Sequence, residues 1–358
     1  MEVIHYYNMG LVKYENVGIK VLSATVPHNI VKTRSLTDYY SEEAIIKFIE
    51  ATGIEERHLA DEEVCASDLC YNSAMQIFDE TDLNPDDIDA LFVITQTPDY
   101  KSPGTAIIMQ DRLGLRKSTL VYDLNLSCSG FIHGMMMAYS FLQSPSFKNI
   151  MVMVGDTLSH FTSIRDKGTG MLLGDAGIVA VFSKNEKYGE SYFSMMTEGG
   201  HKDSVMIPAG GGRIPSSPRT FEPKEYEDGS IRNLEQIVMT GTDVFSFAIS
   251  ALPKDVKRLL EFAGTTIDEI DKYAFHQAND FMTGYIAKKV KANPDKILHS
   301  IQYFGNTAGT SIPLCLVKNR DLIKQNESIL MNAIGAGFVY GTALINIADC
   351  QILPLKEL

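Results

Sequence analysis

The sequence predicts a layered α/β protein made of two fused, similar halves, and three observations carry that reading. Apolar strand patterns alternate with helix-spaced segments through the first half of the chain, as in sheets covered by helices. A long motif occurs twice: "NPDDIDALFVITQTPD" (84–99) returns as "TTIDEIDKYAFHQAND" (265–280), with Asp271 lying 182 residues beyond Asp89 in a chain of 358. A second pair, "NIMVMVGD" (149–156) and "SILMNAIG" (328–335), matches in the same order, and self-similarity at half-length indicates a duplicated unit. The expected division is an N-terminal half over 1–183 and a C-terminal half over 184–358. The second includes a Gly-, Pro- and Ser-rich loop at 199–230.

Each element follows from its pattern. Segments 41–52 and 62–80 have helical spacing, and 88–95 ("IDALFVIT") reads as a buried strand. A helix pattern at 105–113 leads to the strand 119–126 ("TLVYDLNL"), whose even positions are apolar apart from the hydroxyl of Tyr122. A helix then starts at Cys128, followed by strands at 149–155 and within 174–182. Further on, 272–275 is a strand that ends at His276. The run 329–348 holds twenty uncharged residues, long enough to cross a bilayer. It contains Asn332, Asn346, Gly335, Gly337 and Gly341, however, and glycine disfavours a helix. Two buried strands joined through "GAGFVYG" are expected there, and no membrane span. The glycines of "PAGGGRIPSSP" lack the strand-to-helix context and lysine of a phosphate loop, so they read as plain loop.

Bulk properties narrow the function. The composition, 45% hydrophobic and 22% charged, suits a globular protein with a substantial core. A formal charge of −13 argues against nucleic acid as a general partner, because phosphate binding needs a basic face. Cys65, Cys70, Cys128, Cys315 and Cys350 form no CxxC pair, so neither a disulfide framework nor a metal site is expected. A reducing, cytoplasmic setting is the expectation. The first ten residues contain Glu2 and show no basic, apolar signal segment.

The chemistry centres on "LNLSCSGF" (124–131), where a strand pattern gives way to a helix whose Gly130, Gly134 and Ala138 share one face. A helix N-terminus offers free N–H groups and a positive dipole end, which favour thiolate. Cysteine is equally at home as a small buried hydrophobe, so on this stretch alone nucleophile and filler both stand. Two later segments add polar groups at structural boundaries. "AFHQAND" puts His276 and Asn279 at a strand end, and "YFGNTAGTSIP" puts Asn306 in a glycine-flanked turn before a helical stretch. His5, His28, His58, His133, His160, His201 and His299 read as structural.

Taken together, "TGIEERHLA", "SCSGF", "GDAGIVAVF", "FHQAN", "FGNTAGTSIP" and "GAGFVYGTALI" resemble the β-ketoacyl-acyl-carrier-protein synthase III family of the thiolase superfamily, over about residues 16–347. The resemblance implies a thiolase-like fold with two pseudo-symmetric halves in an α/β/α/β/α arrangement. It implies a decarboxylating condensation of an acyl thioester with a malonyl thioester, through an acyl-Cys128 intermediate. Catalysis would rest on Cys128, His276 and Asn306, with the N–H groups of Cys128 and Gly337 holding the oxyanion. The residue types suit that chemistry. A thiolate attacks a thioester, and the enolate left by loss of carbon dioxide needs two uncharged donors, a neutral histidine and an amide, where a carboxylate would repel it. The thioesters themselves carry the reactive groups, so no separate cofactor is expected.

The resemblance also implies an acyl carrier protein as partner and a homodimer. In that dimer the loop "TQTPDYKSPG" (95–104), with Ser102, would shape the partner's acyl pocket, and the apolar strand 119–126 would be buried by pairing across the interface. At the tunnel mouth the chain departs from the family pattern. It has no tryptophan; Lys47 and Ala51 stand where a stacking ring and an arginine are expected, and Phe281 stands for another arginine. Lys167 keeps a positive charge without the guanidinium fork. Lys288, with Lys289 and Lys291, forms a basic cluster suited to an acidic carrier. Three other readings stay open at this point: a same-fold acyltransferase to an oxygen or nitrogen acceptor, a papain-like cysteine peptidase, and a non-catalytic binding protein.

Overall fold

The computed structural model describes residues 10–358, so the expectation about a signal segment falls partly outside the described residues. The principal strands are β1 (Leu11–Glu15), β2 (Val17–Val26), β3 (Ala90–Ile94), β4 (Leu120–Leu124), β5 (Asn149–Asp156), β6 (Ala176–Lys184), β7 (Glu190–His201), β8 (Lys272–Phe275), β9 (Glu327–Gly335), β10 (Gly337–Ile347), β11 (Gln351–Ile352) and β12 (Lys356–Glu357). They form two sheets. One runs β11-β2-β6-β5-β3-β4, with β12 also on β2, and the other β1-β7-β10-β9-β8.

The duplication is visible in the strand order. In the first sheet β2/β6 and β6/β5 are antiparallel and β5/β3 is parallel. In the second, β7/β10 and β10/β9 are antiparallel and β9/β8 is parallel. The repeated aspartate does the same job in both. Asp89, just before β3, accepts the N–H groups of Lys148 and Asn149 at 2.6 and 3.1 Å where β5 begins. Asp271, just before β8, accepts the N–H and hydroxyl of Ser328, both at 2.9 Å, where β9 begins. Each carboxylate thus ties the start of one parallel strand to the start of its neighbour, satisfying donors that the ladder leaves unpaired. The run 329–348 is the antiparallel pair β9/β10, turning at Ala336; among the described residues no helix is long and apolar enough to cross a membrane.

The principal helices are α1 (Glu42–Thr52), α2 (Ala66–Glu80), α3 (Thr105–Arg112), α4 (Gly130–Leu142), α5 (Gly241–Ala263), α6 (Asp280–Val290) and α7 (Ser311–Lys318). Helices α4 and α7 lie between the sheets in one core that includes Ile94, Val152, Ala180, Ile312 and Met331. Helices α2 and α3 cover the outer face of the first sheet, and α5 and α6 that of the second. This is the α/β/α/β/α layering. The small residues of α4 explain its central place: a Cβ at Gly134 would come within 2.4 Å of Ile94 and 2.9 Å of Val152, so only glycine lets the helix lie this close to the sheet.

Two details differ from the sequence expectation. The halves exchange their ends: β1 pairs with β7 in the second sheet, while β11 and β12 pair with β2 in the first, so a cut at 183/184 separates paired strands. The stretch 199–230 is not plain loop throughout, since it contributes to two short antiparallel pairs, Val205–Met206 with Val238–Met239 and Lys224–Glu225 with Ile231–Arg232. Strand β4, expected to pair across a dimer interface, is the edge of its sheet, with Leu120 and Tyr122 exposed at 42% and 45% in the single chain.

Candidate active site

The carboxyl ends of strands from both sheets converge on one cavity of about 110 Å³ that holds Cys128, His276 and Asn306 in its wall. Cys128 follows β4, His276 follows β8, and Gly335 ends β9. Ligand sites in open α/β sheets form at such strand ends, where successive connections diverge. The rest of the wall is mostly apolar, including Leu158, Leu172, Leu173, Met239, Phe245 and Met282, with Gln96, Ser127, Thr169 and Asn279 as further polar members.

Cys128 sits in the turn between β4 and α4. The helix starts at Gly130 rather than at the cysteine, and Ser129 occupies the N-cap position. Cys128 therefore stands just before the N-cap and not in the first helical turn. Burial pushes the Cys128 thiol up to about 11; a hydrogen bond from the Ser127 side chain opposes the shift, and Asp156 adds to it. The resting group is therefore a thiol. Asp156 itself lies buried at the end of β5, where burial pushes it up to about 7. Its Oδ1 accepts the Gln96 N–H at 2.7 Å and the Thr95 hydroxyl at 3.2 Å.

His276 continues the β8/β9 ladder by one residue, its N–H donating to the Asn332 carbonyl at 2.9 Å. Its Nδ1 lies 2.5 Å from the Ser311 hydroxyl at the start of α7. Among the described residues that hydroxyl has no other acceptor, so it donates to Nδ1 and leaves the imidazole proton on Nε2. Burial pushes the His276 pKa down to about 4, so the ring is neutral at physiological pH.

Asn306 follows Gly305, whose φ of +64° turns the chain where a Cβ would lie 2.8 Å from the Leu172 carbonyl. The Asn306 N–H donates to that carbonyl at 3.0 Å, and its own carbonyl accepts from Gly174 at 3.1 Å. The side-chain Oδ1 accepts the Ala308 N–H at 3.0 Å, and among the described residues the NH₂ group has no acceptor, so it can donate into the cavity.

The other sequence-predicted residues are distributed unevenly. Asn279 reaches the cavity wall and caps α6, its Oδ1 accepting the Met282 N–H at 2.7 Å. Phe281, 62% exposed, stacks on Phe245 of the wall with ring centroids 5.4 Å apart. Lys167 is exposed, and its amine donates to the Asp228 carbonyl instead of facing the cavity. Ser102 and Lys288 are exposed and lie outside the cavity wall. Gly337 has a φ of +128° and pairs with His201 at the start of β10; Gly335 and Ala336 line the cavity instead. His133 bonds the Ser129 carbonyl at 2.9 Å within α4 and is structural. Among the described residues, no group of three or more His, Cys, Asp or Glu side chains could hold a metal ion.

Sequence reasoning missed Ser127, Ser311, Gly335 and Ala336 as parts of the site. All four stand inside motifs already singled out, but their roles depend on partners far along the chain. Ser311 meets a ring 35 residues earlier, and Ala336 donates to Ser127 Oγ at 2.8 Å across 209 residues.

A family model described as 3-oxoacyl-[acyl-carrier-protein] synthase III matches residues 122–199, and the model of its C-terminal part matches 260–347. The β-ketoacyl-[acyl-carrier-protein] synthase III of Fusobacterium nucleatum is 32% identical over 338 residues, covering 92% of this chain and 98% of that protein. That of Clostridioides difficile is 32% identical over 296 residues, covering 82% and 87%. Among solved structures, a 3-oxoacyl-(acyl-carrier protein) synthase from Burkholderia xenovorans superposes with a TM-score of 0.90 at 28% identity, covering 97% of this chain and 99% of that one.

Proposed function

Because the chain belongs to the β-ketoacyl-[acyl-carrier-protein] synthase III family, which condenses an acyl thioester with a malonyl thioester with loss of carbon dioxide, we propose that Cys128, His276 and Asn306 divide that reaction between them. One observation carries the division. His276 and Asn306 face the cavity of Cys128 with their acceptor atoms already committed, Nδ1 to Ser311 and Oδ1 to Ala308, so each presents only an uncharged N–H.

The sulfur of Cys128 attacks the acyl thioester carbonyl. The carrier thiol departs with the proton that Cys128 gives up, and the acyl group stays on sulfur. The malonyl thioester then binds with its carbonyl oxygen between His276 Nε2–H and the Asn306 NH₂. The carboxylate leaves as carbon dioxide, and its electron pair passes into an enolate whose charge falls on that oxygen. Preorganised neutral donors stabilise this charge without the reorganisation that water would require. The enolate carbon attacks the acyl carbonyl, a carbon–carbon bond forms, the carbon–sulfur bond breaks, and Cys128 leaves as a thiolate that takes up a proton from solvent to return to the thiol. The scheme calls for no cofactor beyond the two thioesters.

An acyl carrier protein is the proposed bearer of the malonyl group. Lys288 supports this, since it lies exposed in the last turn of α6, the helix whose N-cap Asn279 reaches the cavity. A homodimer is proposed from the edge strand β4, which exposes Leu120 and Tyr122 beside Ile107 of α3, together with Tyr100 in the loop that holds Ser102. A reducing compartment fits free cysteines of which three are buried.

Separate half-reactions test the roles. Cys128→Ala should abolish acyl adducts by intact-mass analysis. His276→Ala and Asn306→Ala should keep acylation while carbon dioxide release falls by about 100-fold, the scale of a lost oxyanion donor. Unchanged carbon dioxide release in Asn306→Ala would instead favour a same-fold acyltransferase.

A further inference from the structure

We propose that Arg57 is a positioning residue for Asn306: its buried guanidinium fixes the segment 170–173, and that segment fixes the backbone of Asn306. The inference rests on Asn306 being a donor to the malonyl carbonyl. It adds to that site a residue of "TGIEERHLA", a motif with no part in the thioester chemistry itself.

Arg57 belongs to the short strand Glu56–His58, which pairs with Ile30–Lys32, and it is 2% exposed. Its stem packs against the residue before Asn306. A Cβ on Gly305 would stand 2.8 Å from Arg57 Cγ and 3.1 Å from Cδ, so glycine is what lets the stem lie there. The head reaches the facing segment, where Nη1 donates to the Gly170 carbonyl at 3.1 Å and to the Leu173 carbonyl at 2.9 Å. Between those two lies Leu172, whose own carbonyl accepts the Asn306 N–H at 3.0 Å. Leu173 and Asn306 form an isolated parallel bridge, which the Gly174 N–H closes on the Asn306 carbonyl at 3.1 Å. One side chain therefore touches both sides of the bridge that carries Asn306. The same segment supplies Leu172 and Leu173 to the cavity wall.

The guanidinium is poorly compensated for a group so deeply buried. Arg232 pairs with Asp166 at 2.6 Å, but among the described residues Arg57 has no carboxylate partner. Its Nε and Nη2 make no hydrogen bond to any described residue. Burial lowers its pKa to about 10, which still leaves it charged at neutral pH. Burying a cation without a counter-charge is costly, and an apolar side chain of similar length would fill the space without that cost. What the guanidinium alone supplies is the pair of charge-assisted bonds to the carbonyls of 170 and 173. A catalytic donor must be held within about 0.5 Å of its productive position, and these bonds hold the segment from which Asn306 hangs. The alternative is general support of the fold, with no particular tie to Asn306.

A double-mutant cycle on the full-length protein separates the two, because a residue acting through Asn306 has nothing left to act on once the amide is gone. Arg57→Met keeps the stem against Gly305 and removes the donors. It should lower decarboxylation of a malonyl thioester about tenfold while Cys128 acylation stays within about twofold of wild type. Arg57→Lys, which keeps the charge and a donor on a shorter reach, should fall between Arg57→Met and wild type. In Asn306→Ala, adding Arg57→Met should lower carbon dioxide release no further. Rates are taken per folded molecule beside a thermal melt. If Arg57→Met does not fold, Arg57→Lys runs the same cycle, and its smaller drop must likewise vanish in Asn306→Ala. The same drop in both backgrounds would overturn the proposal, as would equal loss of acylation and decarboxylation. Wild-type carbon dioxide release by Arg57→Met, with Asn306→Ala impaired, would overturn it alone; unchanged release by Asn306→Ala would strike the role given to Asn306 and this inference together.

Discussion

Gly335→Ala offers a sharp test of how the nucleophile turn and the end of β9 are fitted together. The added Cβ would meet Ser127 Oγ at 2.6 Å, the Cys128 backbone nitrogen at 3.1 Å and the Ser129 backbone nitrogen at 3.2 Å. Ordinary carbon-to-heteroatom contact lies near 3.4 Å or beyond. The Ser127 hydroxyl could swing aside, but the Ala336 N–H would then lose its acceptor. The two nitrogens cannot swing, because the turn is held by the Gly130 N–H on the Ser127 carbonyl at 2.7 Å and by the Ser129 hydroxyl on the Val339 carbonyl at 3.0 Å. Relief must come from retreat of the strand end by a few tenths of an ångström. Overpacking of this kind costs about 1–3 kcal/mol, so melting should fall measurably. Acylation should fall more steeply, by about 100-fold, because the displaced group is the Cys128 N–H that would face the developing oxyanion. Single-turnover acylation read by intact mass, beside a thermal melt, measures both. Gly337→Ala provides the contrast: its Cβ would approach nothing closer than Val339 at 3.4 Å, so its φ of +128° should cost stability with a smaller effect on acylation. If Gly335→Ala acylates within threefold of wild type and melts normally, the close fit is wrong. If Gly337→Ala is instead the variant that loses acylation selectively, the oxyanion amide lies there.

Other consequences are more direct. Ser311→Ala removes the hydrogen bond that holds His276 in its Nε2–H form, so malonyl decarboxylation should drop about fivefold to tenfold while Cys128 acylation is spared; equal loss in both half-reactions would argue for general misfolding. His276 has its folded pKa lowered from 6.5 to about 4, so the unfolded chain binds the extra proton first as pH falls. Its stabilising contribution is therefore present above about pH 6.5 and lost progressively toward pH 4, and His276→Gln should flatten that part of a stability-versus-pH curve. Light scattering should give about twice the chain mass of 39.7 kDa, and Leu120→Glu with Tyr122→Glu on β4 should yield folded monomer; a monomeric wild type would remove the dimer proposal.

Much of the fold was legible because strand and helix patterns are local. The largely apolar text of 149–155 and 329–335 suits strands covered on both faces, and β5 and β9 are such strands. The segment 119–126 also reads as a strand, and β4 is one; its place at a sheet edge with Leu120 exposed is decided by which strands pair and not by the strand's own composition. The exchange of β1, β11 and β12 between the halves was equally hidden, since short terminal strands carry little pattern of their own.

The candidate site divides the same way. The identities of Cys128, His276 and Asn306, their order, and their places at the ends of strands or in a glycine turn could be read from the sequence, because residue type limits what chemistry a side chain can do. Their electrostatic state could not. Whether Cys128 rests as thiol or thiolate depends on walls drawn from residues 158–173, 239–245, 276–282 and 334–338, which desolvate the sulfur. The proton of His276 sits on Nε2 because Ser311, a turn of chain away from Asn306, comes within 2.5 Å of Nδ1. Sequence by itself determined which groups were present and on which kind of element; only the tertiary structure decided which of their atoms were already bonded, and so which were left to face a substrate. The physical reason is that hydrogen-bond satisfaction and desolvation are set by neighbours in space, and in this chain those neighbours come from both halves of the duplicated fold.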